Sequence, residues 1–152
     1  MTDPTSAERM IDLVQEQLPH RFPFLFVDRV LEREPGVRAV AEKLVSMSEP
    51  YLQGHMPGRP IMPGVLMIEM LAQTAAFLDE ESLGDIPVFL AQVVDARFKA
   101  PAFPGDRLRM EVQTEAAFGG FQRIKGTVKC EDRVLCTATL LLKKGAPMAL
   151  GE

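Results

Sequence analysis

An α+β domain, an antiparallel sheet of about six strands wrapped around one long central helix, is what this 152-residue sequence predicts. Three observations carry that expectation. One apolar run, Val65 to Leu78, is long enough for a helix and is introduced by Pro63-Gly64. Two strand-like stretches precede it and four follow it. Tight turn signals separate most neighbouring strands, and hairpin connections make antiparallel sheets. A helix that is apolar on nearly every side belongs inside a fold, so the sheet is expected to curl around it.

Taken in order, Ser6 is placed to N-cap a first helix over about 6–18, with Met10, Ile11, Leu13, Val14 and Leu18 as its apolar stripe. Pro19 ends it. Leu25–Glu34 and Val37–Met47 read as strands around a Pro35-Gly36 turn, and Glu49–Met62, dense in Pro and Gly, reads as loop. The central helix is expected over about 63–79, with Pro63 in its first turn, where a missing N–H is no loss. Strands follow at Val88–Ala96, Arg107–Ala117, Phe121–Cys130 and Arg133–Leu142, the last three joined at Gly119-Gly120 and Glu131-Asp132. No repeat or linker interrupts the pattern, so 1–152 reads as a single domain with a flexible tail at about 145–152. A curled sheet leaves open edge strands. Pairing them with a second copy is the natural remedy, and at least a homodimer is expected.

Composition narrows the function classes. A net charge of −4 supplies no basic field to recruit nucleic acid. Glu69, Gln73 and Thr74 interrupt the apolar run, which also falls short of the ~20 residues of a membrane span. The polar N-terminus has no signal-peptide pattern, so a cytoplasmic protein without a membrane partner is expected. Cys130 and Cys136 have neither metal nor redox spacing and read as small buried hydrophobes. No phosphate loop, dinucleotide fingerprint or clustered His/Cys/Asp set is present, so neither a cofactor nor a metal is expected.

The chemistry concentrates in residues 53–73. His55 sits in a loop stiffened by Pro57, Pro60 and Pro63 and by Gly54, Gly58 and Gly64. A lone loop histidine is ordinarily structural, but this loop runs straight into a helix N-terminus. The first amides of a helix have no partners within it and carry the positive end of its dipole, so they hold a developing negative oxygen well. Gly64 lets a substrate approach that backbone closely. An imidazole beside such a site is equipped to take a proton next to a carbonyl. Glu69 is the only charged residue between Arg59 and Asp79. A core ion pair with a distant arginine is one account of it; a proton donor is the other. Gln73, at i+4, is placed to orient it. Base, acid and helix amides together describe loss of water from a 3-hydroxyacyl compound.

These residues resemble a known family. Leu18-Pro19-His20-Arg21-Phe22-Pro23-Phe24-Leu25, Val27-Asp28-Arg29, Glu49-Pro50 and Gly54-His55 through Gly64 are similar to the Z-type (3R)-hydroxyacyl-acyl carrier protein dehydratases of type II fatty acid synthesis. Ala72-Gln73, Ala96–Pro101 and Pro104-Gly105-Asp106 extend the likeness over roughly 9–142. The resemblance implies a hotdog fold and a site shared by two subunits, His55 from one and Glu69 from the other, often within a trimer of dimers. It implies Gly64 as the donor to the thioester carbonyl, with Val65, Gln73, Phe89 and Phe98 as further substrate contacts, and a structural role for His20. Acyl carrier protein, presenting the acyl chain on phosphopantetheine, is the implied partner. Three positions depart from the family pattern. Phe89 stands where a gating tyrosine is common, Val94 where relatives are often acidic, and the 116–121 hairpin lacks the basic residues that dock the carrier. Arg97, Lys99, Arg123 and Lys125 are the cations left for that role. The diluted charge keeps a coenzyme A thioester hydratase and a polyketide or specialised lipid dehydratase as alternatives, and the shared fold keeps a hotdog thioesterase.

Overall fold

Alternation of apolar and polar side chains along the second half of the chain builds long strands with one face on a core. The computed structural model describes residues 6–82, 84 and 86–145. It has a first helix α1 (Ser6–Gln17), strands β1 (Arg29–Glu34) and β2 (Arg38–Leu44), a central helix α2 (Gly64–Thr74), and strands β3 (Val88–Phe98), β4 (Arg107–Phe118), β5 (Phe121–Cys130) and β6 (Arg133–Lys144). The sheet runs β1-β2-β4-β5-β6-β3, every pair antiparallel. Leu108, Met110 and Val112 of β4, Ile124 and Val128 of β5, and Leu140 and Leu142 of β6 point inward onto Met67, Met70, Leu71 and Phe77. Gly126 sits where the helix comes closest: a Cβ there would lie 2.8 Å from Leu71 Cδ2. One sheet curled around one helix is the hotdog arrangement, so the predicted fold class stands.

Several expectations need correcting. The central helix is not apolar-buried on every side. Val65 is 69% exposed, and Glu69, Ala72, Ala76 and Asp79 continue from it as a partly open stripe at helical spacing. Pro63 is the N-cap rather than a first-turn residue, and after Thr74 the helix tightens into a 3₁₀ turn, Ala75–Leu78. The loop before it contains a second 3₁₀ turn, Pro50–Leu52. The first strand begins at Arg29 rather than Leu25. The Phe26 N–H is held by the side chain of Gln73, at 2.8 Å, rather than by a neighbouring strand. Of the expected tail only Gly145 falls among the described residues, where its N–H donates to Pro87 O at 3.0 Å. Cys136 is buried, which pushes its thiol up to about 11.

The two free sheet edges differ. β1 is six residues, Arg-Val-Leu-Glu-Arg-Glu, and its charges discourage further pairing. β3 is eleven residues and exposes Val88, Phe89, Leu90, Val93 and Phe98. Among the described residues, no helix is long and apolar enough to cross a membrane.

Candidate active site

The loop carrying His55 is tied down at both ends. Lys43, buried on β2, pairs with Glu49 at 2.8 Å and Asp28 at 3.4 Å. The phenol of Tyr51 is packed close by, where burial and the charges of Glu49 and Asp28 hold its proton on far above the usual range. At the other end Met62 N–H donates to Ala102 O at 2.9 Å. Between them Met56 and Gly58 take positive φ values of 44° and 84°. The His55 ring turns back on its own loop, Nδ1 lying 3.0 Å from Ile61 O. A carbonyl oxygen only accepts, so Nδ1 carries a proton, and in the neutral ring the lone pair is on Nε2.

Pro63 and Gly64 start α2 beside this loop. Leu66 N–H folds back on Pro63 O at 3.0 Å, while the Gly64 and Val65 amides have no backbone acceptor among the described residues. The Phe98 ring lies over Gly64, where a Cβ would meet Cδ1 at 3.0 Å. Any side chain at 64 would therefore displace the ring from the helix N-terminus.

About one and a half turns along α2, Glu69 is fixed by Gln73. The Gln73 amide donates to Glu69 Oε1 at 2.9 Å and to Phe24 O at 2.9 Å, and its Oε1 accepts the Phe26 N–H. At 1% exposure these bonds use the whole side chain. Gln73, expected among the substrate contacts, holds Glu69 and the 24–26 segment and also lines the cavity beside Glu69. His20 Nε2 also comes within 3.4 Å of Glu69 Oε1. The sequence offers little to reveal that meeting, since the two residues are far apart in the chain and share no periodicity. The buried Lys43 clamp was missed for the same reason.

Glu69, His20 and Gln73 line one side of a cavity of about 270 Å³, which Leu18, Ile86, Val88 and Leu90 make largely apolar. His55 is not among its lining residues. The fold thus gathers Glu69 with Gln73, and Gly64 with Phe98, but does not bring His55 into the Glu69 cavity within one chain. Phe89 lies on the β3 edge outside that cavity. Of the surface cations, Arg97 pairs with Asp95 at 3.1 Å and Arg123 with Glu115 at 3.0 Å, while Lys99 and Lys125 are exposed. Among the described residues no three His, Cys, Asp or Glu side chains gather in a way that would hold a metal ion.

The chain is thus a hotdog domain with a loop imidazole at one end of its helix and an anchored carboxyl along it. Solved structures agree on the fold. The dehydratase heterocomplex ApeI:P from Xenorhabdus doucetiae superposes with a TM-score of 0.73 at 22% identity, covering 90% of this chain and 93% of that one. Cj0977, a sigma28-regulated virulence protein of Campylobacter jejuni, gives 0.70 at 11% identity, covering 99% and 100%. The FabA-like domain family matches residues 18–139. The 3-hydroxyacyl-[acyl-carrier-protein] dehydratase FabZ of Chloroflexus aggregans is 51% identical over 134 residues, 86% of this chain and 92% of the relative. That of Variovorax paradoxus is 46% identical, over 86% and 91%, and that of Yersinia pestis 42%, over 93% and 83%. The chain belongs to the FabA-like family, on its 3-hydroxyacyl-acyl carrier protein dehydratase branch.

Proposed function

We propose that the chain dehydrates (3R)-hydroxyacyl groups carried on acyl carrier protein to trans-2-enoyl thioesters, with His55 as the base and Glu69 as the acid. The observation that carries the assignment of residues is Glu69 itself, a carboxyl anchored by Gln73 beside an apolar cavity. The free Nε2 of His55 takes the C2 proton. The electron pair of that C–H bond becomes the second bond between C2 and C3, the C3–O bond breaks, and the hydroxide leaves as water with the proton of Glu69. Charge developing on the thioester oxygen is met by the Gly64 and Val65 amides. Phe98 and Phe89 border the path of the acyl chain, and the cavity beside Glu69 receives it.

His55 does not line the Glu69 cavity of its own chain, so the working site in this reading is shared by two copies. The long apolar edge β3 supports that arrangement, since pairing it with a partner's β3 buries Val88, Phe89, Leu90 and Val93 together. Three such dimers form the complete assembly, each chain acting as one domain over 1–152, in the cytoplasm. Arg97, Lys99, Arg123 and Lys125 receive the acidic carrier; equal turnover on coenzyme A would remove that role from them.

The test is the pair His55→Ala and Glu69→Gln. Each should lower dehydration of 3-hydroxyacyl carrier protein about a hundredfold or more while keeping the oligomeric mass of the unmodified chain by light scattering. Co-refolding the two inactive variants should restore part of the activity, because one of the two mixed sites is intact. Near-normal turnover by His55→Ala, or no recovery in the mixture, would defeat the mechanism or the shared site respectively.

A further inference from the structure

The cavity beside Glu69 has a far end that dehydration itself does not use. Its helix side runs from Glu69 past Ala72 and Ala76 to Asp79, roughly 15 Å at the rises of an α-helix and a 3₁₀ turn. The middle is apolar and, on the helix side, built from alanines. The end is polar. Asp79, Gln122 and Lys144 close it. Lys144 Nζ donates to Asp79 Oδ1. Among the described residues, Asp79 Oδ2 and Gln122 Oε1 are both buried with no hydrogen-bond partner. Gln122 is 7% exposed and spends its amide N–H on Thr114 Oγ1 at 3.3 Å. Buried acceptors are almost always paired, and a pocket for a plain hydrocarbon chain has no need of two that are not.

We infer that this end is a subsite for a hydroxyl at the ω end of the acyl chain, held by Gln122 and Asp79. The inference rests on the reading of the cavity as the acyl site. A hydroxyl donates its one proton to Asp79 Oδ2 and accepts from the Gln122 amide once that group is turned so that its Oε1 takes the Thr114 hydroxyl proton. An ω-carboxylate would face Asp79, and an ω-ammonium would compete with Lys144 for it. A methyl end of the same length leaves both acceptors unpaired. A site built to bind a hydroxyl rejects the analogue lacking it more strongly than an apolar pocket rejects an extra methylene.

The test compares turnover by the full chain of 3-hydroxyacyl carrier proteins at the decanoyl, dodecanoyl and tetradecanoyl lengths, each methyl-ended and ω-hydroxylated. At the best-fitting length the ω-hydroxylated chain should lead in kcat/KM by about tenfold, the weight of one well-placed hydrogen bond. Gln122→Leu should lower that ratio several-fold by improving the methyl-ended chain. Methyl-ended chains turned over as well or better at all three lengths would overturn the subsite. An unchanged ratio in Gln122→Leu would overturn the assignment of Gln122. Should that variant fail to fold, the ratio in the unmodified chain still decides. The 3-hydroxybutyryl carrier protein, too short to reach Gln122, separates the two levels. Its dehydration alongside equal ratios defeats only the subsite, whereas no dehydration of it defeats the proposed function as well.

Discussion

Gln73→Leu keeps the volume of a buried side chain and removes its polar atoms, and two separate losses should follow. The first is stability. Phe26 is 2% exposed, and its N–H donates to Gln73 Oε1 at 2.8 Å; leaving it unpaired costs about 1–3 kcal/mol. Phe24 is 49% exposed, so its carbonyl can turn to water and adds little. A total of about 1–3 kcal/mol corresponds, for a chain of this size, to a melting temperature lower by about 2–12 °C. The second loss is activity. Glu69 loses the hydrogen bond that orients it, worth about 0.5–1.5 kcal/mol, or roughly two- to tenfold in kcat if that bond fixes the reactive geometry. Thermal melts at fixed protein concentration and steady-state kinetics read the two separately. Glu69→Gln is the control, expected to lose kcat without the drop in melting temperature. A Gln73→Leu variant that melts with the parent would refute the hydrogen-bond reasoning. One that is destabilised but retains kcat would refute the link from Gln73 to Glu69.

Two further outcomes follow from the sheet. Gly126→Ala should cost about 1–3 kcal/mol by overpacking, because the new methyl meets the fully buried Leu71 at 2.8 Å; Leu71→Ala in the same chain should recover part of it in urea denaturation. On the outer face, the Arg38 guanidinium donates to both carboxylate oxygens of Glu111, at 3.2 and 3.1 Å, and holds that carboxyl below its ordinary value of 4.5. Near pH 4.5 the unfolded chain therefore binds more protons there than the folded one. The contribution is fully present above that pH and lost as pH falls through the lowered folded value. Glu111→Gln should flatten the urea midpoint against pH below about 4.5; parallel curves would show that the pair contributes nothing.

How much of this was legible in the sequence depends on how local the determining interactions are. β4, β5 and β6 were readable because alternation is written residue by residue and Gly119-Gly120 and Glu131-Asp132 mark their turns. The early start given to β1 failed because the backbone at 24–26 answers to Gln73, 47 residues beyond Phe26, and no periodicity within 25–34 carries that information. The helix was readable as a helix but its surroundings were not. An apolar run can face core, cavity or partner, and only the packed sheet distinguishes the Val65–Glu69–Ala72–Ala76 stripe from the buried faces.

The same distinction governs the site. His55 and Glu69 were visible one at a time, each as an anomaly against its neighbours, the first in a rigid loop and the second in an apolar helix. The residues that hold them were less visible, because each works through a contact distant in the chain. Lys43 and Glu49 look like ordinary surface charges in the sequence. Their pairing at 2.8 Å, with the Lys43 side chain 9% exposed, is what ties the start of the His55 loop to β2. Breaking a buried pair by removing one partner costs about 3–5 kcal/mol, because the other charge is left stranded. That loop therefore has little freedom at its base, and the imidazole inherits its direction from an ion pair rather than from the prolines alone. Rigid loop chemistry made His55 easy to find; the buried Lys43–Glu49 pair that ties the base of its loop to β2 was not.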